Sequence, residues 1–313
     1  MNDENMKIQI IGGSGFVGSK LISILNKKNC YNLDKKQSPF FQEITTICDI
    51  RNIDDIKFKK DTQCVVLLAA EHRDDVKPRS LYYDVNVNGT ANVLKQMDKS
   101  GINKLIFTSS VAIYGLNKDN PNEDHIHDPF NDYGKSKSAA EKIIFDWYKS
   151  NPKKRKVIIM RPTVIFGERN RGNVYNLLKQ ISSGLFVMVG RGLNKKSMAY
   201  VGNVAAFIEK CIYTDLSGYN IFNYADKPDF NMNELVAIIE KKMKIRTPKF
   251  HIPYLIGFLA GLVFDLLSII MRKKLAVSSV RIKKFCATTK FNSDKAHNFF
   301  KAPYSLHNGL NKT

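Results

Sequence analysis

The sequence predicts an α/β protein with a doubly wound parallel sheet followed by a smaller mixed lobe. Short apolar segments typical of buried strands recur at 7–11, 30–33, 64–69, 104–108 and 157–160. Between them, apolar residues at helical spacing predict helices at 16–28, 80–99 and 138–149. Strands that alternate with helices in this way favour a parallel sheet covered by helices on both faces.

The first predicted strand runs directly into a glycine-rich turn. Residues 8–18 read Ile-Gln-Ile-Ile-Gly-Gly-Ser-Gly-Phe-Val-Gly. In a Rossmann-type fold, Gly12 would allow the tight turn, Gly15 would let the backbone approach a pyrophosphate, and Gly18 would let the helix pack on the strand. The phosphates then lie on the N–H groups of the helix N-terminus, at Phe16 and Val17. The spacing therefore predicts a dinucleotide site.

A carboxylate follows the second predicted strand and bears on which dinucleotide binds. Asp34 lies about 20 residues after the first glycine, where an acidic side chain accepts hydrogen bonds from the adenosine ribose and repels a 2′-phosphate. NAD is therefore favoured over NADP. Lys35 and Lys36 weaken that preference, since they could hold a phosphate, but solvated turn lysines are the simpler interpretation. Asp49 and Ile50 end another apolar segment and are candidates for the adenine end of the site.

The composition narrows the class of partner. The 313 residues include 49 Lys and Arg against 29 Asp and Glu, for a formal net charge of +20. This charge favours phosphates or an acidic membrane surface. Nucleic acid is not expected, because the lysines are spread along the chain without an aromatic-interleaved basic motif. The scattered cysteines predict buried free thiols, the histidines form no ligand cluster, and the acidic start predicts no secretory signal.

The C-terminal half has a looser pattern, with short predicted helices at 174–183, 203–213 and 233–243. We expect a dinucleotide-binding domain at 1–165 and a substrate-binding lobe at 166–313, with the two interleaved. No metal site is expected in either part.

One apolar stretch, 254–271, stands apart in this second half. It is borderline in length for a spanning helix, and Asp265 would be costly at the centre of a bilayer. On a helix, Gly257, Gly261, Asp265, Ser268 and Arg272 fall on one narrow face. The pattern therefore favours a helix lying in a membrane interface over a span. A core helix of the second lobe is the alternative.

Three side chains could carry chemistry on a sugar hydroxyl. Tyr133 and Lys137 are four residues apart at the start of a helical pattern, so they share one face. A lysine ammonium near a phenol stabilises the phenolate, which could then act as a general base. Ser110 follows an apolar strand, at the edge where ligands of parallel sheets bind, and could hydrogen-bond the reacting oxygen.

Together these motifs resemble the extended short-chain dehydrogenase/reductase superfamily, in its sugar epimerase and dehydratase branch. The matching positions are the glycine loop, Asp34, Asp49, Leu68-Ala69-Ala70, Asn86–Thr90, Ser110, Tyr133, Lys137 and Arg161-Pro162. The resemblance implies a Rossmann fold, tightly held NAD with Leu68, Ala69 and Ala70 at the cofactor, and a catalytic set of Ser110, Tyr133 and Lys137.

Departures from the branch's usual motifs narrow the reaction. The residues Val111 and Ala112 stand where sugar dehydratases carry an acid and a base, so dehydration is not expected. Val164 replaces an asparagine that is usual in nucleotide-sugar epimerases, and the segment Lys196–Asn203 also differs. Contacts expected for a UDP-sugar are thus altered.

Three stretches, 69–76, 161–180 and 276–289, resemble members of this branch that act on amino sugars linked through a diphosphate to a polyprenol. The resemblance implies a 4-epimerase at the cytoplasmic face of a bacterial inner membrane, in surface polysaccharide synthesis. Arg161, Asn173 and Arg281 are the candidates for substrate binding, although structural roles for the arginines are nearly as well supported.

Several alternatives remain open from the sequence. Within enzymes, they are an epimerase of UDP-linked sugars and a 4-ketoreductase of a nucleotide deoxysugar. Outside enzymes, the chain could be an NAD-binding sensor or scaffold, although such a protein has no use for a tuned phenol. A homodimer is also left open.

Overall fold

A seven-stranded parallel sheet forms the centre of the protein. The computed structural model describes residues 5–73, 76–170, 172–184, 186–271, 273, 275 and 277–313. The strands of the large sheet are β1 (Ile8–Ile11), β2 (Cys30–Asp34), β3 (Thr45–Ile47), β4 (Cys64–Leu67), β5 (Lys104–Thr108), β6 (Lys156–Pro162) and β10 (Tyr219–Tyr224). Their order is β10-β6-β5-β4-β1-β2-β3, and every pair is parallel. The predicted doubly wound sheet is confirmed.

Helices cover both faces of this sheet. On one face α1 (Phe16–Ile24) packs against α6 (Val201–Tyr213), and on the other α3 (Thr90–Lys99) packs against α4 (Asp132–Ser150). A short α2 (Ser80–Tyr83) continues through a π-helical segment, Asp84–Gly89, into α3. Short 3-10 turns occur at Lys27–Asn29, Gln42–Ile44, Ile53–Asp55 and Val111–Tyr114. Apolar side chains from both helical layers meet the sheet in two separate cores.

Helix α4 begins earlier than the sequence pattern predicts. The predicted helix covers 138–149, whereas α4 begins at Asp132. The Asn131 side chain accepts a hydrogen bond from the Gly134 N–H at 2.9 Å and so caps the first turn. The cap supplies a partner for a backbone donor that a helix N-terminus leaves unpaired. Tyr133 and Lys137 therefore both lie within the helix.

A smaller mixed lobe is built from the C-terminal half. Its three-stranded sheet has the order β11-β9-β7, from β7 (Val164–Phe166), β9 (Lys195–Tyr200) and β11 (Asp226–Asn231). A two-stranded parallel sheet joins β8 (Met188–Val189) to β12 (His251–Ile252). The remaining helices are α5 (Asn173–Ser182), α7 (Met232–Met243), α8 (Tyr254–Ile270), α9 (Ser279–Cys286), α10 (Asp294–Phe299) and α11 (Leu306–Lys312). Strand β10 and helix α6 lie beyond residue 165 but belong to the layers of the large sheet.

Helix α8 presents its apolar side chains to the outside. Leu262, Leu266 and Ile269 are 45%, 59% and 74% exposed, whereas Gly257 and Gly261 are buried. The alternative that the sequence leaves open, a core helix of the second lobe, is wrong, because the large apolar side chains do not enter the core. None of the helices in the described ranges combines the length and apolar character needed to cross a membrane.

The narrow polar face of α8 packs on the protein. A Cβ at Gly261 would lie 2.8 Å from the Ser279 backbone, so α8 approaches α9 too closely for a side chain there. The Asp265 carboxylate accepts hydrogen bonds from Ser279, from the backbone N–H at 3.2 Å and from Oγ at 2.5 Å. Gly261 and Asp265 of the predicted narrow face thus contact α9, whereas Gly257 lies against Val189 of β8 and the Ser268 hydroxyl donates to the Lys273 carbonyl oxygen. The last member of this face, Arg272, lies outside the described residues.

Candidate active site

The glycine loop joins β1 to α1 at the carboxyl edge of the large sheet. Gly12 has a φ of 91°, a conformation that disfavours other residues, and a Cβ there would lie 2.6 Å from the Ala69 backbone nitrogen. A Cβ at Gly18 would lie 2.5 Å from the Gly12 carbonyl oxygen, so this glycine lets α1 pack on the turn. These are the roles that the sequence predicts for the first and third glycines.

Gly15 borders open space in front of the α1 N-terminus. A Cβ at Gly15 would touch the Gly12 carbonyl oxygen at 3.2 Å and no other described atom within 4 Å. The next residues, Phe16 and Val17, form the first turn of α1, whose N–H groups suit an anion. The loop therefore fits a dinucleotide pyrophosphate.

The segment that follows β4 lies directly beside this loop. The backbone N–H groups of Leu68 and Ala69 donate to the Ile11 carbonyl oxygen at 2.8 and 2.9 Å. Leu68, Ala69 and Ala70 are each half-buried. The three residues that the family resemblance assigns to the cofactor thus line the same edge as the glycine turn.

Asp34 ends β2 and is held against the glycine loop. Its carboxylate accepts one backbone N–H from Ser14 and one from Lys36, both at 3.0 Å. A carboxylate offers about four lone-pair sites, so these two bonds leave acceptor capacity for a ribose hydroxyl. The neighbouring Lys35 ammonium lies 2.6 Å from a Glu71 carboxylate oxygen. This pairing directs the Lys35 charge toward Glu71, which favours NAD over a 2′-phosphate.

Asp49 and Ile50 come shortly after β3, the strand at one end of the large sheet. The Arg51 guanidinium donates to both Asp49 oxygens, and these hydrogen bonds lower the pKa of Asp49 below its usual value. Ile50 is buried against Gly89 of the π-helical segment. The Asp49 carboxylate is thus hydrogen-bonded to Arg51, and a ligand could use only its remaining lone pairs.

Ser110 follows β5 at the same edge of the sheet. Its backbone is extended, and its Oγ accepts a hydrogen bond from the Ala112 N–H at 3.1 Å, which caps the 3-10 turn Val111–Tyr114. Ser110 therefore has a structural role as the cap of this turn. Because that bond uses a lone pair, the Ser110 hydroxyl can still donate to a substrate oxygen.

The first turn of α4 lies against the segment that carries Ser110. A Cβ at Gly134 would lie 2.5 Å from the Ala112 carbonyl oxygen, so glycine permits the close approach. Tyr133, next to this glycine, is half-buried. Sequence reasoning missed Gly134 and the Asn131 cap. The available signal is a glycine between Tyr133 and Lys137, at the start of the helical pattern, since glycine there disfavours a helix unless packing requires it.

Lys137 is buried at the end of β5. Its ammonium donates to the Thr108 carbonyl oxygen at 2.7 Å and lies 4.5 Å from the centre of the Phe107 ring. The side chain is 2% exposed, and this burial lowers the pKa of Lys137 to about 7. An ammonium has three donors, so the Thr108 bond leaves others for a ligand.

Arg161 is not placed to bind a diphosphate. It is 2% exposed, and its guanidinium donates to the Glu141 carboxylate, the Tyr114 hydroxyl and the Glu123 carbonyl oxygen. These contacts commit all three guanidinium nitrogens to partners within the fold. This burial and these contacts favour the structural interpretation of Arg161.

The other two substrate candidates have different surroundings. Arg281 is an exposed residue of α9, and its backbone N–H bonds to the Ser278 hydroxyl that caps this helix. Asn173 begins α5, but its side chain lies outside the described part of the structure. Of the three candidates, Arg281 is the one that the structure describes as exposed.

Asn86 is a further residue that the sequence places near the site without assigning it a role. Its side-chain amide exchanges hydrogen bonds with the backbone of Glu71 and donates to the Ser136 hydroxyl at 2.9 Å. It therefore ties the segment after β4 to the first turns of α4. The resemblance points to Asn86, but only the fold shows what it connects.

The described ranges contain no group of three or more His, Cys, Asp and Glu side chains placed for a metal ion. The cysteines are free thiols, as the sequence predicts, and Cys30, Cys48, Cys64 and Cys211 are buried. Cys286 is half-buried.

Proteins of similar sequence and fold are known. The chain is 57% identical over its full length to N-acetyl-α-D-glucosaminyl-diphospho-ditrans,octacis-undecaprenol 4-epimerase of Escherichia coli O157:H7, of which the match covers 95%. It is 30% identical to UDP-glucose 4-epimerase of Vibrio cholerae, over 79% of this chain and 78% of that one. The structure of Thermus thermophilus UDP-glucose 4-epimerase with NAD has a TM-score of 0.74 at 18% identity, and covers 98% of this chain and 97% of its own.

A family model spans the large sheet and the site together. It matches residues 8–224, from β1 to the end of β10, and its description is the NAD dependent epimerase/dehydratase family. The matched range contains the glycine loop, Asp34, Ser110, Tyr133 and Lys137. The chain therefore belongs to the NAD dependent epimerase/dehydratase family.

Proposed function

We propose that the protein is an NAD-dependent 4-epimerase that interconverts N-acetylglucosamine and N-acetylgalactosamine linked through diphosphate to undecaprenol. The full-length similarity at 57% identity to an enzyme named for this lipid-linked sugar is the observation that carries the proposal. The site supports it, since the glycine loop and the α4 residues occupy one edge of the large sheet.

Bound NAD would supply reversible redox chemistry at carbon 4 of the sugar. In this proposal the Tyr133 side chain takes the proton of the sugar 4-hydroxyl and later returns it. The Lys137 ammonium, one helical turn away, favours the phenolate through its positive charge. Ser110 donates a hydrogen bond to the 4-oxygen. The 4-keto form of the sugar would then rotate in the site and present its other face.

The cofactor would lie along the edge formed by the glycine loop. The backbone at Gly12, Gly15 and Gly18, with the first turn of α1, suits the pyrophosphate, and Asp34 suits the adenosine ribose. Leu68, Ala69 and Ala70 would border the cofactor on the side of β4, and Asp49 and Ile50 would lie toward the adenine.

Two departures from nucleotide-sugar epimerases support a substrate without a nucleotide. Val164 stands 43% exposed where an asparagine is usual. Lys196 does not reach outward, because its ammonium donates to the carbonyl oxygens of Lys284 and Ala287 at the end of α9. Burial also lowers the pKa of Lys196 to about 8. These positions therefore offer few of the polar contacts that a nucleotide would need.

Helix α8 would rest in the membrane interface, where the lipid-linked substrate is. Its exposed side chains form an apolar surface along the whole helix, and its polar side packs on α9. Helix α9 carries Arg281, and its Lys283 ammonium lies 5.3 Å from the Phe130 ring, just before α4. Helix α9 thus lies between the proposed lipid contact and the proposed reaction centre, where Arg281 could meet the diphosphate.

The proposed setting follows from the substrate. The protein would work at the cytoplasmic face of a bacterial inner membrane, in surface polysaccharide synthesis. A homodimer stays a prediction, which light scattering of the detergent-solubilised protein would test.

The test compares two substrates under one condition. Purified protein in detergent is given either N-acetylglucosamine-diphospho-undecaprenol or UDP-N-acetylglucosamine, without added NADH, and the released sugars are separated. We expect conversion of the lipid-linked sugar and little conversion of the UDP-sugar. Rapid conversion of the UDP-sugar with an inert lipid substrate would contradict the lipid assignment. A need for stoichiometric NAD(P)H would move the protein to the ketoreductases.

A further inference from the structure

Behind Lys137, two oppositely charged side chains are buried together. Glu141 lies one helical turn after Lys137 on α4 and is 4% exposed, and Arg161 is 2% exposed. Arg161 donates from Nε to Glu141 Oε1 at 3.0 Å and from Nη2 to Oε2 at 2.6 Å. Removing both charges from water carries a free-energy cost that the pair often does not recover. A buried pair at this place therefore calls for a functional explanation.

Arg161 also connects the elements around the site. Its Nη1 donates to the Tyr114 hydroxyl at 2.6 Å and to the Glu123 carbonyl oxygen at 2.8 Å. Its Nη2 lies 3.1 Å from His127 Nε2. Tyr114 ends the 3-10 turn that begins just after Ser110. One guanidinium thus joins β6, α4 and the segment that carries Ser110.

The charged groups around Lys137 act in opposite directions. Burial lowers the pKa of Lys137, and the Glu141 carboxylate raises it in part. Arg161 donates two hydrogen bonds to the same carboxylate, so its positive charge competes with Lys137 for Glu141. His127 borders the pair, and burial lowers its pKa as well. The protonation of Lys137 therefore depends on how Glu141 is shared between a lysine and an arginine.

We propose that Glu141 and Arg161 form a positioning pair, which holds α4 against β6 and the segment that carries Ser110, and which balances the charge on Lys137. The Glu141 carboxylate stabilises the charged form of Lys137, which Tyr133 needs nearby. Arg161 orients this carboxylate and weakens its attraction for the Lys137 ammonium. This inference rests on the role proposed for Lys137, but it concerns residues that act through Lys137 and do not touch the substrate.

The proposal makes opposite predictions for the two partners. Glu141→Gln keeps the shape and removes the anion, so the pKa of Lys137 should fall by about 1 unit or more. Arg161→Met leaves Glu141 with Lys137 as its cation, so the pKa of Lys137 should rise. The double variant lacks both the anion and the cation, so the two effects oppose each other and the pKa of Lys137 should return toward the wild-type value. A purely structural pair would not produce opposite shifts.

Nuclear magnetic resonance measures the pKa of Lys137 without substrate. Lysine labelled with ¹³C at Cε reports its own titration, and Lys137→Arg identifies the signal. Asp146→Asn is the matched control, since it removes a carboxylate from an exposed position of the same helix. Shifts of opposite sign in Glu141→Gln and Arg161→Met, with none in the control, would support the proposal. An unchanged Lys137 titration in Glu141→Gln, which preserves side-chain shape, would overturn it.

The pH profile of turnover provides a second readout. If the proposed function holds, the alkaline loss of kcat should move to lower pH in Glu141→Gln, while Asp146→Asn keeps the wild-type profile. Turnover that falls equally at every pH would contradict the charge-balancing role. Should the protein convert neither substrate, the proposed function fails, and the lysine titration still decides whether the pair controls Lys137.

Discussion

Helices α4 and α8 are of similar length, and both depart from the usual pattern of burial. Helix α4 buries charged side chains, whereas α8 exposes apolar ones. Helix α4 has 19 residues and buries the charged side chains of Lys137 and Glu141. Helix α8 has 17 residues, almost all apolar, and its buried residues are Gly257 and Gly261. Polar groups are thus inside where the chemistry is proposed, and apolar groups are outside where the lipid is proposed.

Each departure carries a cost that a partner can offset. A buried lysine is unfavourable unless a ligand or a counter-charge meets it. A leucine that stays in water forgoes about 1.5–3 kcal/mol of burial, and exposed apolar patches of this kind mark contact surfaces. Each helix therefore carries groups that a ligand or a membrane surface would complete, and variants of either helix test this.

The largest effect is expected at the start of α4. Tyr133→Phe removes the hydroxyl that we propose as the base, so turnover should fall by about 10²–10⁴-fold. NAD should remain bound, because the glycine loop is unchanged. Sugar chromatography measures turnover, and denaturation followed by assay of the supernatant measures NAD. Normal turnover by this variant would contradict the role of Tyr133 as the base.

A smaller effect is expected on the outer face of α8. Replacing both Leu262 and Leu266 by Asp should weaken binding to lipid vesicles by about 10²-fold or more, since two leucines no longer enter the interface. Flotation with vesicles measures binding. Ile47→Asp is the control, because Ile47, on the edge strand β3, is as exposed as Leu266, at 58% against 59%. If both variants bind vesicles as the wild type does, α8 is not the lipid contact.

The smallest effect concerns the stability of α4. Lys137 releases its proton near pH 7 in the folded protein but near 10.5 when unfolded. Between these values the unfolded chain binds more protons, so this group makes the free energy of unfolding rise with pH. Lys137→Met should abolish that rise, worth about 2 kcal/mol between pH 7 and pH 9. Urea unfolding at both pH values measures it.

Lys135→Met is the control for that experiment, because Lys135 is an exposed residue of the same helix. It should keep the wild-type dependence on pH. Parallel curves for the wild type and Lys137→Met would show that Lys137 does not titrate as its burial implies.

Much of the large sheet could be predicted because its signals are local. The alternation of apolar strands and helices, and the glycines at 12, 15 and 18, follow from spacing within short stretches of chain. The same holds for Tyr133 and Lys137, whose separation by four residues places them on one helical face. The domain boundary at residue 165 stays a prediction, as do the roles of the site residues.

Charged side chains were harder to predict, because their partners lie far along the chain. Arg161 and Glu141 are 20 residues apart, and Lys35 and Glu71 are 36 apart. Nothing in the sequence near Arg161 distinguishes a diphosphate-binding arginine from one that pairs with a buried glutamate. A guanidinium fits both carboxylate and phosphate, so only the fold decides which it meets.

Local sequence patterns suffice to predict the alternation of strands and helices, the glycine turn, the placement of Tyr133 and Lys137 on one helix, and the narrow polar face of α8. These follow from backbone geometry and periodicity, which act over one or two turns. The tertiary structure decided that Arg161 is buried, that Lys35 turns to Glu71, and that α8 rests on α9 with its apolar side outward. Those outcomes depend on contacts between distant segments, which the chain acquires only when the sheet and its two helical layers assemble.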